Sequence, residues 1–410
     1  MLKGVMITLD PTPRQARRLA GHAGAHRYAF NLMLQHVKTQ LDEGAEDVDW
    51  THYALRRWWN SVKDIVAPWW SEYSKEAYSS AAEDLGNGLR AYSRGRKGQR
   101  KGRKPGFPGF KAKHRGRDGY AYTTGFKQLD PSDPNAVILP RIGRVHCMEN
   151  VVERVGCGRV LRMTVSQRAG RWVIALTVEY PDEATVKRIT RPDEVVGVDL
   201  GLARLATLSD GTVIENPRHY RKSQSRLRKA QKTLARRVKG SKRRERARVR
   251  LEREHARVRH QRRDALDKLT TMLVRSYGTI CIEDLNVQGM MRSHHLAKSL
   301  ADASFYEFRR QLEYKAMLDG NTLCIAGRFY PSSKTCSACG SVRAKLALGE
   351  RVYHCDDCGL VMDRDLNAAV NLTHLAGSAP ERLNAQGGVV RLNTIEHTLL
   401  NCESSGPVRA

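Results

Sequence analysis

The chain has 410 residues, with 71 Lys and Arg against 43 Asp and Glu, and a formal net charge of +28. Hydrophobic residues make up 40%, enough for real cores, which excludes a disordered basic tail; the length suggests roughly two to three domains. A surplus of this size points to a polyanion, with nucleic acid ahead of a membrane surface, because counterion release at phosphates rewards Lys and Arg. No stretch approaches the roughly 18 continuous apolar residues of a membrane span, so no membrane partner is expected. The N-terminus MLKGVMITLDPTPRQ lacks a charged-then-apolar signal layout. The expected setting is cytoplasmic, at the nucleoid. The nine Cys then sit in a reducing compartment, where paired CxxC spacing reads as metal binding.

Residues 2–9 (LKGVMITL) read as a strand closed by Asp10 and Pro11. Thr12 and Pro13 look like the N-cap and first-turn proline of a helix running through RQARRLAGHAGAHRYAFNLMLQHVKTQL. Two more helical blocks follow, roughly 51–65 and 71–94. Trp58, Trp59, Trp69 and Trp70 read as helical core ahead of base-stacking platforms. Residues 94–118 are rich in Gly, Arg and Lys and have no apolar period. They read as a basic loop, either in contact with nucleic acid or disordered. From 119 to 183, short alternating runs read as antiparallel strands of a small barrel. The opening strand pairs into that barrel, which makes the helical block an insertion.

Residues 192–215 form a further strand cluster with a hairpin turn at SDG. Residues 218–274 read as a long helical hairpin broken at Gly240-Ser241, with Leu227, Ala230, Leu234 and Val238 as an apolar stripe. Its 218–263 portion carries roughly twenty Lys and Arg against few acids. A hairpin that only stays soluble would mix signs through i,i+4 pairs, so one-signed charge favours contact with phosphates over a merely solvated face. The candidate contacts are Arg221, Lys222, Arg226, Lys229, Arg236, Arg237, Lys242, Arg243 and Arg244. Residues 278–283 (GTICIE) read as a buried strand. Residues 286–304 read as a mobile polar segment suited to a lid, with His294 and His295 at its surface. A helix near 302–319, a strand near 321–329 and a short helix ending at Gly377 follow; 378–410 reads as a loose tail.

Cys336-Ser-Ala-Cys339 and Cys355-Asp-Asp-Cys358 are two CxxC knuckles separated by 15 residues, each followed by a glycine, Gly340 and Gly359. That pairing matches a structural zinc site of four thiolates, which leaves no open position for catalysis. His354 is surplus, and Cys147, Cys157, Cys281, Cys324 and Cys402 lack such spacing. Three acids end apolar patterns: Asp199 in VVGVDLG, Glu283 in TICIEDLNV and Asp365 in MDRDLNAAVN. Singly, each reads more readily as a turn or cap residue, and Asp284 and Asp363 are neighbours of the same kind. Together, strand-Asp, strand-Glu and helix-Asp follow the order of the RNase H-like two-metal nucleases. There, two Mg²⁺ ions roughly 3.5–4 Å apart clamp the attacking and leaving oxygens of an in-line displacement.

GVDLG, then IEDLN, then a CxxC…CxxC ribbon running directly into DRDLNAA resemble TnpB, the transposon-associated RNA-guided nuclease family that is ancestral to the type V CRISPR effectors. SLADASFYEFRRQLEYKAMLDG, FYPSSKTCSACG, PTPRQ…RYAFN and KPGFPGFKAK carry the likeness as well, so it covers nearly the whole chain, to about residue 377. The resemblance implies an α+β multidomain chain. An antiparallel β-barrel (wedge) domain, 1–10 and 117–187, carries a helical recognition insertion, 11–116. An RNase H-like (RuvC) nuclease domain, 190–331 and 360–377, is interrupted by a zinc ribbon, 332–359, and followed by a tail, 378–410. By this match Asp199, Glu283 and Asp365 hold two Mg²⁺ ions. Asp365 is preferred to Asp363 because it directly precedes LNAA. Cys336, Cys339, Cys355 and Cys358 hold one structural Zn²⁺. The implied activity is Mg-dependent, RNA-guided DNA cleavage for a mobile element. A guide RNA from the element pairs with one strand of double-stranded target DNA, and the protein, acting as a monomer, checks a short adjacent motif. Arg14, Arg17 and Arg18, with Tyr28 and Asn31, sit where a duplex-reading helix begins. A CRISPR-associated miniature type V effector shares every motif. An RNA-guided DNA-binding repressor without cleavage is a second alternative, against which the three intact acids argue. An ordinary DNA-cutting transposase is the weakest.

Overall fold

The computed structural model describes residues 2–45, 47–100, 102–113, 118–181, 189–347, 349–377 and 389–390. They fall into two compact units, residues 2–181 and 189–390.

The first unit opens with strand β1 (Leu2–Asp10) and the 30-residue helix α1 (Pro13–Asp42). A capping box starts α1: Gln15 N donates to the Thr12 hydroxyl while the Gln15 side chain accepts from Thr12 N at 2.9 Å. Helices α2 (His52–Val66) and α3 (Lys75–Arg96) pack on the distal part of α1, burying Met33, Leu34, Leu55 and Leu85. The four tryptophans belong to this helical core. Trp59 stacks on Tyr78 at 4.8 Å and Trp58 on His36 at 4.1 Å, Trp69 meets Tyr28 edge-on at 5.3 Å, and the Trp70 indole donates to Asp64. Arg18, Tyr28 and Asn31 also make internal bonds, to the carbonyls of Arg141, Val66 and Lys111.

The remaining strands are β2 (Gly119–Tyr122), β3 (Ala136–Leu139), β4 (Gly143–Cys147), β5 (Arg159–Arg168) and β6 (Arg171–Glu179), with a short helix α4 (Val151–Val155) before β5. They form an antiparallel sheet of order β2-β5-β6-β1-β4-β3, in which β1 crosses from β6, along residues 2–8, to β4, at residues 9–10. The strands expected of a small barrel all fall in this one sheet. The edges β2 and β3 are not hydrogen-bonded to each other, and the Tyr122 hydroxyl instead donates to the Pro140 carbonyl at 3.2 Å. Helical side chains complete its core: Leu19, Ala23 and Ala77 enter the same core as Ile7, Val145 and Ile174. The basic segment is a loop as expected over its described residues beyond Arg96. Its first residues extend α3 to Arg96, and Phe107 then packs edge-on against Tyr92 at 5.2 Å. Asn31 brackets Lys111, accepting from its N–H at 2.7 Å.

The second unit is a sheet of order β14-β11-β10-β7-β8-β9. Its parallel centre is β7 (Arg191–Asp199), β10 (Tyr277–Glu283) and β11 (Thr322–Ala326). The antiparallel flanks are β8 (Arg204–Leu208) and β9 (Val213–Glu215) on one side and β14 (Val389–Val390) on the other. Helices bury the sheet, so β10 reads as a nearly continuous apolar run. Of the segment 378–410, only β14 falls among the described residues. Helices α5 (His219–Ala235) and α6 (Lys242–Ser276) make the hairpin, broken around Gly240-Ser241 as expected. Leu227 and Ala230 are buried, but Val238 lies beyond the end of α5 and is 77% exposed, so the apolar stripe is shorter than expected. The segment expected as a mobile lid carries two short helices, α7 (Val287–Met290) and α8 (Ala297–Ala303). Ser304, in the left-handed region at φ 58, separates α8 from α9 (Phe305–Asp319), so the helix expected near 302–319 starts at Phe305. A two-stranded ribbon, β12 (Val352–His354) with β13 (Val361–Asp363), leads into α10 (Arg364–Thr373). Among the described residues no helix is long and apolar enough to cross a membrane.

Candidate active site

Ile282 of β10 pairs in parallel register with Val198 of β7, so the next residues, Glu283 and Asp199, end adjacent strands side by side. Helix α10 brings the third acid. It lies so close to β7 that a Cβ at Gly197 would sit 1.8 Å from the Ala369 carbonyl oxygen, an approach only glycine permits. Asp365 is one turn before Ala369, and Asp199 two residues beyond Gly197, so the helix start lies over the carboxyl end of the strand. The charges register this. Burial, and then the charges of Glu283 and Asp365, push the Asp199 carboxyl well above the usual carboxylate range. Burial also raises Glu283, against the Ser332 hydroxyl, which donates to it, and the positive charge of Arg364.

The neighbouring acids are occupied otherwise. Asp363 caps α10, accepting from Asp365 N at 3.0 Å and Leu366 N at 3.1 Å, and pairs with Arg204 of β8 at 2.8 Å. Asp284 is gripped by Arg309 and, at 2.9 Å, by Arg328. Despite burial, these partners hold both carboxyls below the ordinary range. Sequence reasoning missed the residues that fix α10 from the other side. Asn367 and Asn371 are fully buried. Asn367 accepts from Ser337 N at 3.0 Å and donates to the Thr335 carbonyl at 2.7 Å; Asn371 donates to the carbonyls of Ser332 and Thr335 at 2.8 and 2.6 Å. Their signal was two asparagines at i,i+4 on the apolar face of DRDLNAAVN.

Asn367 and Asn371 thus tie α10 to the cysteine ribbon. The four sulfurs of Cys336, Cys339, Cys355 and Cys358 all lie within 4.8 Å of one another, with Cys336–Cys358 and Cys339–Cys355 at 3.5 Å. Zn–S bonds of about 2.3 Å in a tetrahedron place sulfurs about 3.8 Å apart, so the set fits Zn²⁺. The two knuckles repeat one backbone pattern. Gly340 N donates to the Cys336 carbonyl and Gly359 N to that of Cys355, with both glycines left-handed at φ 78 and 72. His354 is exposed; Cys147, Cys281 and Cys324 are buried and Cys157 exposed, while Cys402 lies outside the described residues. Among the described residues no carboxylate group gathers as tightly as the four thiols. Asp199, Glu283 and Asp365, with the positive charge of Arg364 acting on the first two, are the carboxylates that could hold a cation.

On the hairpin, Arg221, Lys222, Lys229, Arg236, Arg237, Lys242 and Arg243 are exposed. Arg244 instead turns inward, donating to the carbonyls of Leu234 and Arg237 and closing α5, and Arg226 bonds to the Ser223 hydroxyl and approaches Glu254 at 3.9 Å. Glu245 and Glu252 both pair with Arg248. Asp302 of α8 accepts from Tyr220 N and Arg221 N at the start of α5 and pairs with Arg262 of α6 at 3.1 Å. His294 and His295 are exposed.

A family described as "Probable transposase" matches residues 175–294, and one described as "Cas12f1-like, TNB domain" matches 305–372. A "Helix-turn-helix domain" family matches residues 1–46, which here form β1 and the single unbroken helix α1. A Mycobacterium tuberculosis protein named "Putative RNA-guided DNA endonuclease" is 37% identical over 395 residues, covering 89% of this chain and 85% of its own. The Escherichia coli K12 protein of that name is 29% identical over 389 residues, covering 90% and 91%. An Acanthamoeba polyphaga mimivirus "TnpB-like protein" is 33% identical over 121 residues, covering 28% of this chain and 23% of its own. A chain of the solved "Cryo-EM structure of the Cas12f1-sgRNA-target DNA complex" matches 91% of this chain and 98% of its own, at 11% identity and TM-score 0.48. Identity of 37% sustained over 395 residues marks common descent, and the chain belongs to the TnpB family.

Proposed function

We propose that this protein is a metal-dependent, RNA-guided DNA endonuclease of a mobile element, with Asp199, Glu283 and Asp365 as its cutting site. The observation that carries the reading is the convergence of these acids, from two parallel strands and a late helix, where Asp199 carries the charge of the other two. The names of the relatives agree with it. The second unit is then an RNase H-like (RuvC) nuclease domain, and its ribbon a structural Zn²⁺ site. The first unit is a wedge sheet with a helical recognition insertion. The exposed cations of α5 and α6 meet guide RNA or its heteroduplex with target DNA. Base pairing then reads sequence, and basic surface need only follow phosphates.

When bound, a pair of Mg²⁺ ions would activate water and stabilise the leaving oxygen of the phosphodiester. The chain's own residues supply the frame. Ser332 holds Glu283 in one orientation, Asp363 and Arg204 fix the first turn of α10, and Asn367 and Asn371 anchor its flank. Arg364 offsets part of the negative charge on Asp199 and Glu283, leaving the rest for cations to neutralise. The test uses protein purified with its bound RNA, Mg²⁺ and a plasmid carrying the matching target. Asp199→Ala is expected to bind RNA and target normally and not to cut; cutting at the wild-type rate would mean the site is misplaced.

A further inference from the structure

We infer that Phe329 is a stacking platform for a base of the DNA strand being cut, set beside Glu283. The inference rests on the nuclease reading above. Ala326, the last residue of β11, pairs in register with Glu283, and the chain then turns tightly, with Tyr330 N donating to the Gly327 carbonyl and Ser332 N to that of Tyr330. Three side chains pin this turn. Arg328 donates to Asp284 at 2.9 Å, the Tyr330 hydroxyl to the Asn371 carbonyl at 3.0 Å, and the Ser332 hydroxyl to Glu283 itself. With those three bonded to neighbours, the Phe329 ring is left 93% exposed on a turn tied down on both sides. It lines a cavity of about 440 Å³ together with Glu283, Asn286 and Arg328. A second cavity of about 410 Å³ shares Glu283, Asn286 and Arg328 and is lined by Tyr306, itself 69% exposed. The acid therefore lies along a groove with an exposed ring in each half.

A lone exposed aromatic is unremarkable on a surface. Here the ring shares a space with a phosphodiester-cutting carboxylate, and guanidinium groups border that space. A nucleobase is the occupant this chemistry suits: every base has a π-face, so stacking tolerates any sequence, as a guide-directed enzyme requires. Stacking on Phe329 holds the nucleotide next to the scissile phosphate.

The experiment uses the full-length protein with its copurifying RNA. Phe329→Ala and Phe329→Leu are expected to raise the DNA concentration for half-maximal cutting by on the order of ten-fold, with RNA content and melting temperature unchanged; Phe329→Tyr keeps a ring and is expected to match wild type. A second readout does not depend on cutting. In an Asp199→Ala background, target DNA carrying 5-iodouracil beside the cut position is irradiated and the cross-linked peptide identified by mass; the label is expected on Phe329. Normal cutting by the Ala and Leu variants, with cross-links elsewhere, overturns this inference and leaves the nuclease reading standing. A wild-type protein that never cuts, yet cross-links at Phe329 to target DNA labelled along either strand, overturns the nuclease reading and leaves Phe329 a base-stacking platform without a cut.

Discussion

Gly197→Ala tests whether the packing of α10 on β7 builds the acidic site. The added Cβ would sit 1.8 Å from the Ala369 carbonyl oxygen, where ordinary contact begins at 3.4 Å, so α10 must withdraw by about 1.6 Å. No rotamer change relieves this, because the obstacle is backbone. Overpacking of this kind typically costs ~1–3 kcal/mol, and a backbone clash belongs at the upper end. For a unit of some two hundred residues that is a fall in melting temperature of about 6–12 °C. Asp365 travels with the helix, and a ~1 Å misplacement can cost ~100-fold in rate. Cutting of a plasmid target, followed at a temperature well below both melting points, is expected to fall by at least that factor. Gly278→Ala is the control. Its Cβ would meet the Pro192 carbonyl oxygen at 1.6 Å, at the far end of the same strand pair, where β10 carries a register shift. It is expected to lose comparable stability and keep its cutting rate. Wild-type cutting by Gly197→Ala, or equal loss in both variants, would refute the positioning argument.

Two further predictions concern stability. Glu76 accepts four hydrogen bonds from the N–H and hydroxyl groups of Thr123 and Thr124; burial works to raise its pKa, but these bonds outweigh it and hold the carboxyl below 4.5. A depressed pKa contributes stability above the unfolded value that is lost as pH falls through the folded one. Glu76→Gln is therefore expected to cost about 2 kcal/mol at pH 7, with the gap to wild type closing below about pH 4; a gap that persists in acid contradicts the assignment. Cys336→Ser is expected to abolish stoichiometric zinc and lower the melting temperature of the second unit, and unchanged zinc content by atomic absorption would contradict it.

The knuckles, and the strands that close on the acids, are legible in the sequence because their signals are local: CxxC spacing, an apolar run closing on a carboxylate, an N-cap at Thr12. What escaped depends on distant partners. The core of the first sheet is completed by Leu19, Ala23 and Ala77 from the helices, which no alternation within the strands reveals. Ser304 gives no warning of a left-handed break, since it is not glycine. Arg244 is indistinguishable by composition from the exposed cations around it, yet it spends its guanidinium on the carbonyls that end α5. Gly197 could have been found: a glycine inside an apolar strand signals that another backbone comes close. Guidance by RNA was never written in any residue pattern. It came from resemblance, and the relatives' names agree with it.

The order of the three acids along the chain has a consequence during translation. Asp199 and Glu283 emerge from the ribosome before Asp365, with the strands they end. Asp365 belongs to the last described helix, after the ribbon. A nascent or prematurely terminated chain that stops before that helix carries its basic hairpin, and can meet RNA, while lacking a complete ion-binding trio. Such fragments are expected to occupy nucleic acid without breaking it, so any cutting waits for α10 to be made and folded.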